Sequence, residues 1–328
     1  MKLRNVLKSL ASLAPLVIGA AVAVSAAPAL AQDYPTHPVR MVVPFPAGSA
    51  TDLAARVMAQ QLAASLHQPF VVDNKPGAGG SIAATEVIRS AADGYTLLFS
   101  SNSAVASNVA LLKNMPYDPL RDFTPIAGVG ETMLVLMVKA ENPAKNLKEF
   151  VAYLKQNPGK VNAGYGSSSS QISIAVLNRL GKVDTVPVPY KGIPLAVTDV
   201  LAGVVDFTFV DLGNAMAQAK GGRMRALGVT STKRSPLVPD WPALAEAMPG
   251  FDITAWFAMV GPANMPKDVT DKLNGAVGQA LATKEAKERL AGIGLQPLPL
   301  KPEQLKGFMV TEVAKWIRLA REANIQPE

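Results

Sequence analysis

The stretch VVPFPAGSATDLAARVMAQQL, Val42–Leu62, decides how the chain is to be read. Two β-branched residues run into Pro44, which ends a strand because it has no N–H for the ladder. A turn of Pro, Gly and Ser follows. Ala54, Met58, Leu62 and Leu66 then form one i, i+4 row, broadened by Leu53 and Val57, as in an amphipathic helix. The expectation is strand, turn, helix. With Ser49 as N-cap, Asp52 falls at the third helical position and makes a capping box. The first amides of a helix lack internal partners and carry partial positive charge, so the same turn is a seat for an anion. No His, Cys or Lys stands in it. It offers binding without evident chemistry.

The unit recurs along the chain. PFVVDN is a second strand, KPGAGGS a glycine-rich turn and IAATEVIRSA a helix. GYTLLFSS is a third strand that empties into a polar loop, SNSAVASN. TPIAGVGETMLVLMVKAEN is a long strand region, and NLKEFVAYLKQNPGK a helix stopped at Asn157-Pro158-Gly159. VNAGYGSSSSQISIAVLNRLG repeats strand, Gly/Ser loop, helix. TVPVPYKG is a strand and turn. Next come a helix and a strand ending at Asp211, then the strands MRALGVT and FDITAWFAMV. Two helices are expected to close the chain, one after Pro266 with Val269, Leu273 and Leu281 on one face, one after Pro302 with Leu305, Met309, Val313 and Trp316 on one stripe. Repeated strand–loop–helix units predict parallel α/β sheets. They fall into two blocks, and ligands of such sheets sit at the carboxyl ends of strands and between domains.

At 328 residues the chain has room for about two domains, and with 49% hydrophobic and 17% charged residues it can bury sizeable cores. It has no cysteine, which excludes disulfides, thiolate catalysis and zinc–thiolate sites. Its two histidines, His37 and His67, are too few and too poorly placed for a metal site or a Ser-His-Asp triad, and there is no G-x-S-x-G elbow. KPGAGGS lacks the lysine of a phosphate loop, and GYGSSS has Ser169 where a dinucleotide fingerprint needs its last Gly. No enzyme activity, metal or cofactor is expected. Lys2, Arg4 and Lys8 precede an apolar run ending in Ala29-Leu30-Ala31, the pattern of a cleaved signal peptide over residues 1–31. The mature chain then starts near Gln32 and is secreted to a periplasm. Of the net charge of +7, those three residues carry three, which leaves +4. No basic run is interleaved with aromatics, so nucleic acid is not an expected partner.

Several long segments together carry a family resemblance over nearly the whole mature chain: YPTHPVRMVVPFPAGSATD, VVDNKPGAGGSIAA, MPYDPLRDFTPI, VPYKGIPLAVTDVLAGVVDFTF and GFDITAWFAMVGPANMP. They resemble the Bug family, the TctC-type periplasmic solute-binding proteins of tripartite tricarboxylate transporters. The resemblance implies a type II periplasmic binding protein, a Venus flytrap of two α/β lobes joined by crossover strands. Lobe 1 is then 32–130 plus 252–328, and lobe 2 is 131–251. It implies a small carboxylate ligand, such as a citrate-like acid, a dicarboxylate, an acidic amino acid or an aromatic acid. The membrane subunits of the transporter are the implied partners, and a monomer the implied state. A periplasmic subunit that reports its ligand to a signalling receptor is the competing function.

By the same resemblance, the loop Phe45, Pro46, Ala47, Gly48 and Ser49 holds a ligand carboxylate through backbone amides. Ala78 in the glycine-rich turn and Ser101, Asn102 and Ser103 after the third strand face the cleft. The second lobe supplies the loop Gly166, Ser167, Ser168, Ser169 and Ser170, the turn Tyr190 and Lys191, and the strand end Asp211. The chain departs from the family pattern at Ser49, where a second glycine is usual, and at Tyr165, Ser167, Ser169 and Ser173 in the second-lobe loop. These changes add bulk and hydroxyls where the distal part of a ligand lies.

Overall fold

The structure, a computed structural model, describes residues 34–327; the expected signal peptide lies outside the described residues. Strand β1 (Val39–Val43) is buried at every position but Arg40, and Ser49 caps α1 (Ala50–Leu66) as the sequence predicts. Next come β2 (Phe70–Asn74), α2 (Ser81–Ile88) and β3 (Thr96–Ser101). Both β2 and β3 pair with β1 in parallel. The expected polar loop after β3 is instead a short helix, α3 (Asn102–Val105), followed by a 3₁₀ turn over Ser107–Ala110. Ser101 caps it by accepting from Ser103 N, and Ala104, Val105 and Ala106 are wholly buried, so the segment has a core face that its polar flanks conceal.

Strand β4 (Phe123–Lys139) has 17 residues, about three times a typical strand. It is followed by α4 (Leu147–Gln156), β5 (Asn162–Tyr165), α5 (Ser168–Gly181), β6 (Val186–Pro189), α6 (Ile193–Ala202), β7 (Phe207–Asp211), α7 (Leu212–Lys220) and β8 (Met224–Val229). The chain then runs to β9 (Thr254–Pro262), α8 (Lys267–Ala282), α9 (Lys284–Gly292), the two-residue β10 (Gln296–Pro297) and α10 (Pro302–Glu322). Three helices close the chain rather than two. Helix α8 buries Val269, Leu273 and Leu281 as expected, and α9 is an additional helix that starts where Thr283, in an extended conformation, accepts from Ala286 N.

The strand order is β2-β1-β3-β9-β4-β7-β5-β6, with β8 and β10 also paired to β4. Residues 123–133 of β4 pair antiparallel with β9, and residues 134–138 with β7. One strand therefore serves two sheets and changes partner between Met133 and Leu134. A second crossing lies beside it. Thr230 N donates to Leu134 O at 2.8 Å, and Leu134 N to Thr230 Oγ1 at 2.9 Å. That hydroxyl donates to Ile253 O at 2.6 Å, and Ile253 N returns to Thr230 O at 3.0 Å. Helix α10 is fixed to β9 by Glu312, whose Oε2 accepts from the indoles of Trp256 and Trp316 at 2.7 and 2.9 Å. No helix among the described residues is long and apolar enough to cross a membrane.

Candidate ligand-binding cleft

The carboxyl ends of β1, β3, β5 and β7 point their loops at one another. They enclose a narrow inner cavity of about 40 Å³. Phe45, Ser49, Ser101 and Asn102 line it from one side, and Gly166, Ser167, Ser169 and Asp211 from the other. A wider cavity of about 390 Å³ adjoins it and shares Phe45, Gly166 and Ser167. Ala78, Ser168, Tyr190 and Lys191 line only this outer space.

The first loop is arranged differently from the sequence expectation. Ser49 accepts from Asp52 N at 3.3 Å, but the Asp52 carboxylate reaches back to Gly48 N at 2.9 Å rather than to the cap amide. Ser49 N donates to Pro46 O at 3.2 Å. Gly48 has φ +79°, the left-handed region that a residue without a Cβ adopts freely. The amides of Gly48 and Ser49 are thus committed within the loop. Among the described residues, those of Ala50 and Thr51 have no partner, and both residues line the inner cavity. Thr51 is 4% exposed, and its hydroxyl makes no hydrogen bond. Pro46, Ala47 and Gly48 line neither cavity.

Asp52 is held ionised in this setting. Burial pushes its carboxyl up, but the Arg56 guanidinium, the Gly48 amide and Asn74 Nδ2 together outweigh that and hold it below its usual range. Its charge is spent on Arg56 and the turn.

The second side is built on serine caps. Ser167 and Ser170 form a reciprocal capping box at the start of α5, and Ser170 Oγ also accepts from Gly166 N at 3.1 Å. Ser170 is therefore a buried structural group that lines neither cavity. Hydroxyls then bridge to the first side. Ser168 Oγ lies 2.8 Å from Ser103 Oγ and 2.5 Å from Ser107 Oγ, and Asn102 Nδ2 donates to Ser169 Oγ at 3.0 Å.

Asp211 ends β7 and caps α7, accepting from Asn214 N at 3.1 Å. Asn214 Nδ2 donates to Asp211 Oδ2 at 2.9 Å and also reaches Gly48 O at 3.3 Å across the cleft. Asp211 is 5% exposed and has no ion-pair partner among the described residues. Burial pushes its carboxyl above the usual range, and the Asn214 contacts only partly oppose this.

The sequence reading missed Ala50, Thr51, Thr132, Leu134, Ile193, Ala255 and Phe257 as lining residues. Thr51 was legible, being part of the turn that opens α1. Thr132, Leu134, Ala255 and Phe257 are mid-strand residues that reach the cavity because β4 and β9 pass beneath it, and no local pattern marks them. Neither histidine lines either cavity: His37 stacks on Tyr95 with centroids 3.6 Å apart, and His67 is the left-handed C-cap of α1. The cavity holds no nucleophile with a neighbouring base.

Residues 54–325 match the family of the tripartite tricarboxylate transporter family receptor, TctC. The chain is 37% identical over 316 residues to protein BugT of Bordetella pertussis, with 94% of this chain and 96% of that one covered. It superposes on the R. palustris protein Rpa4515 with adipate at a TM-score of 0.88 and 31% identity, over 90% of this chain and all of that one. The periplasmic binding protein BugD gives a TM-score of 0.86 and 33% identity, over 90% of this chain and all of that one.

Proposed function

Because the chain belongs to the TctC family of tripartite tricarboxylate transporter receptors, to which the Bug proteins also belong, we propose that this solute-binding receptor captures a small carboxylate with the amides of Ala50 and Thr51. Its fold is that of the type II periplasmic binding proteins, and it is not an enzyme. The observation that carries the carboxylate site is the N-terminus of α1. Two uncommitted amides and the Thr51 hydroxyl, which makes no hydrogen bond, open into one cavity, where the helix end favours a negative charge. The similar protein Rpa4515 was solved with adipate, which agrees with a carboxylate ligand. Ser49, Ser101, Asn102, Ser167 and Ser169 supply further hydroxyl and amide contacts.

The lobes divide at the two crossings, where β4 changes partner after Met133 and where the segment from Thr230 to Ile253 returns to β9. Both lobes contact the ligand, so binding favours the closed form, a hinge motion. Membrane subunits of a tripartite transporter receive the closed, loaded protein. The mature chain works in the periplasm and begins near Gln32; N-terminal sequencing of secreted protein that returned Met1 would contradict this.

The test of the carboxylate site is Ala50→Pro. Proline suits the first position of a helix, and Ser49 at φ −70°, ψ 156° already has the conformation favoured before proline. The fold is kept and one free N–H is lost. Ala50→Val adds comparable bulk and keeps the N–H. In a calorimetric screen of carboxylates, Ala50→Pro weakens binding by about tenfold and Ala50→Val by less, as for a charge-assisted hydrogen bond. Equal affinities in the two variants would place the carboxylate elsewhere.

A further inference from the structure

The inner cavity has an unbalanced charge. Among its lining residues there is no Lys, Arg or His, and the one ionisable group is Asp211. Buried carboxylates are ordinarily paired with a cation, because leaving the charge unmatched in a low dielectric is costly. Asp52, the other buried acid near the cleft, follows the rule, with Arg56 Nη2 2.9 Å from its Oδ1. Asp211 does not. Its contacts are the neutral amides of Asn214, which leave it capacity to accept from a group inside the cavity. It also stands close to the proposed carboxylate seat, since one nitrogen, Asn214 Nδ2, bonds both the Asp211 carboxylate and the carbonyl of Gly48, two residues before Ala50.

We infer that the inner cavity takes a zwitterion, a small monocarboxylate whose ammonium group is the counter-ion that Asp211 lacks, and that it discriminates against dicarboxylates. The inference rests on the carboxylate seat proposed above. The ligand carboxylate lies at the amides of Ala50 and Thr51, and its ammonium donates to Asp211. Between them Phe45, Leu134, Ile193, Ala255 and Phe257 offer apolar walls to the carbon skeleton. A second carboxylate in this space meets Asp211 with no cation to offset the repulsion, and specificity often rests on a repulsive element of this kind. Burial already disfavours the ionised form of Asp211, and an ammonium beside it reverses that preference. This separates the chain from the similar protein solved with adipate, a diacid.

Calorimetric titration with β-alanine, γ-aminobutyrate and common α-amino acids, against malonate, succinate, glutarate and adipate, tests it in wild type and Asp211→Asn. Asparagine caps a helix as well as aspartate does, so α7 keeps its bond from Asn214 N. In the wild type the best zwitterion binds at least about tenfold tighter than the best diacid, and Asp211→Asn lowers that ratio by about tenfold or more. A ratio unchanged in Asp211→Asn overturns the inference and leaves Asp211 a helix cap. Tighter binding of a diacid by the wild type overturns it too; if that diacid is lost in Lys191→Gln, its second carboxylate lies in the outer cavity. Either result leaves the carboxylate receptor intact, whereas a protein that binds none of these acids overturns both readings.

Discussion

Gly192 packs so closely on Pro46 that a Cβ at residue 192 would stand 2.5 Å from Pro46 Cδ and 2.9 Å from its Cγ. The two residues come from opposite sides of the cleft, the turn before α6 and the turn before α1. Gly192 has φ 178°, an extended backbone that any residue adopts. The requirement for glycine therefore comes from the neighbouring ring.

Gly192→Ala follows directly. The variant folds with an unchanged melting temperature, but its methyl group holds the two sides apart. Small-angle scattering gives a radius of gyration that does not shrink on addition of ligand, and affinity falls by at least about tenfold, as overpacking by a methyl costs about 1–3 kcal/mol. Wild-type closure in the variant would show that this contact does not limit the motion.

Ser168→Ala tests the hydroxyl bridge. Ser168 Oγ faces both Ser103 and Ser107, whose side chains are otherwise buried. Losing two hydrogen bonds worth about 1 kcal/mol each disfavours the closed form and weakens ligand binding by up to about thirtyfold. Unliganded Ser168→Ala then has a larger radius of gyration than unliganded wild type. Equal radii and affinities would mean that the bridge contributes nothing to closure.

Thr230→Val keeps the shape and removes the hydroxyl at the crossing. Leu134 N and Ile253 O lose their side-chain partner in a wholly buried place. The expected cost is about 1–3 kcal/mol for each group left unpaired, read as a lower melting temperature and a shifted urea midpoint.

Asp52 and Asp211 have opposite pH signatures. Asp52 has a lowered folded-state value, so its contribution is present above the unfolded carboxylate range and is lost as pH falls through the folded value. Asp211 has a raised value, so the folded state is penalised progressively as pH rises from the unfolded range through the folded value. Asp52→Asn is therefore less stable than wild type at neutral pH, and unliganded Asp211→Asn more stable, and both differences vanish in acid. Melting temperatures measured from neutral to acidic pH check both signs; a stabilised Asp52→Asn would refute the account of the first turn.

Much of this was legible locally. Ser49, the Ala54–Met58–Leu62 row and Asp52 announce a capped helix after a strand, because capping and helical periodicity are short-range properties. Ser167–Ser170 likewise announces a helix start. The short helix at Asn102–Val105 was hidden because polar residues flank its buried apolar face, and α9 because only Ala286 and Leu290 of its nine residues are buried, too few to show a helical stripe.

The sequence by itself determined the α/β class, the family and the capped start of α1, since each depends on residues adjacent in the chain. The tertiary structure decided which amides there are free, because Asp52 turning back to Gly48 and Ser49 bonding Pro46 commit two of them. It also decided that Phe257 and Thr132 reach the cavity and that Asp211 stands there without a cation. Those facts depend on strands and loops far apart in sequence meeting across a cleft, and no local pattern encodes a distance or a missing partner.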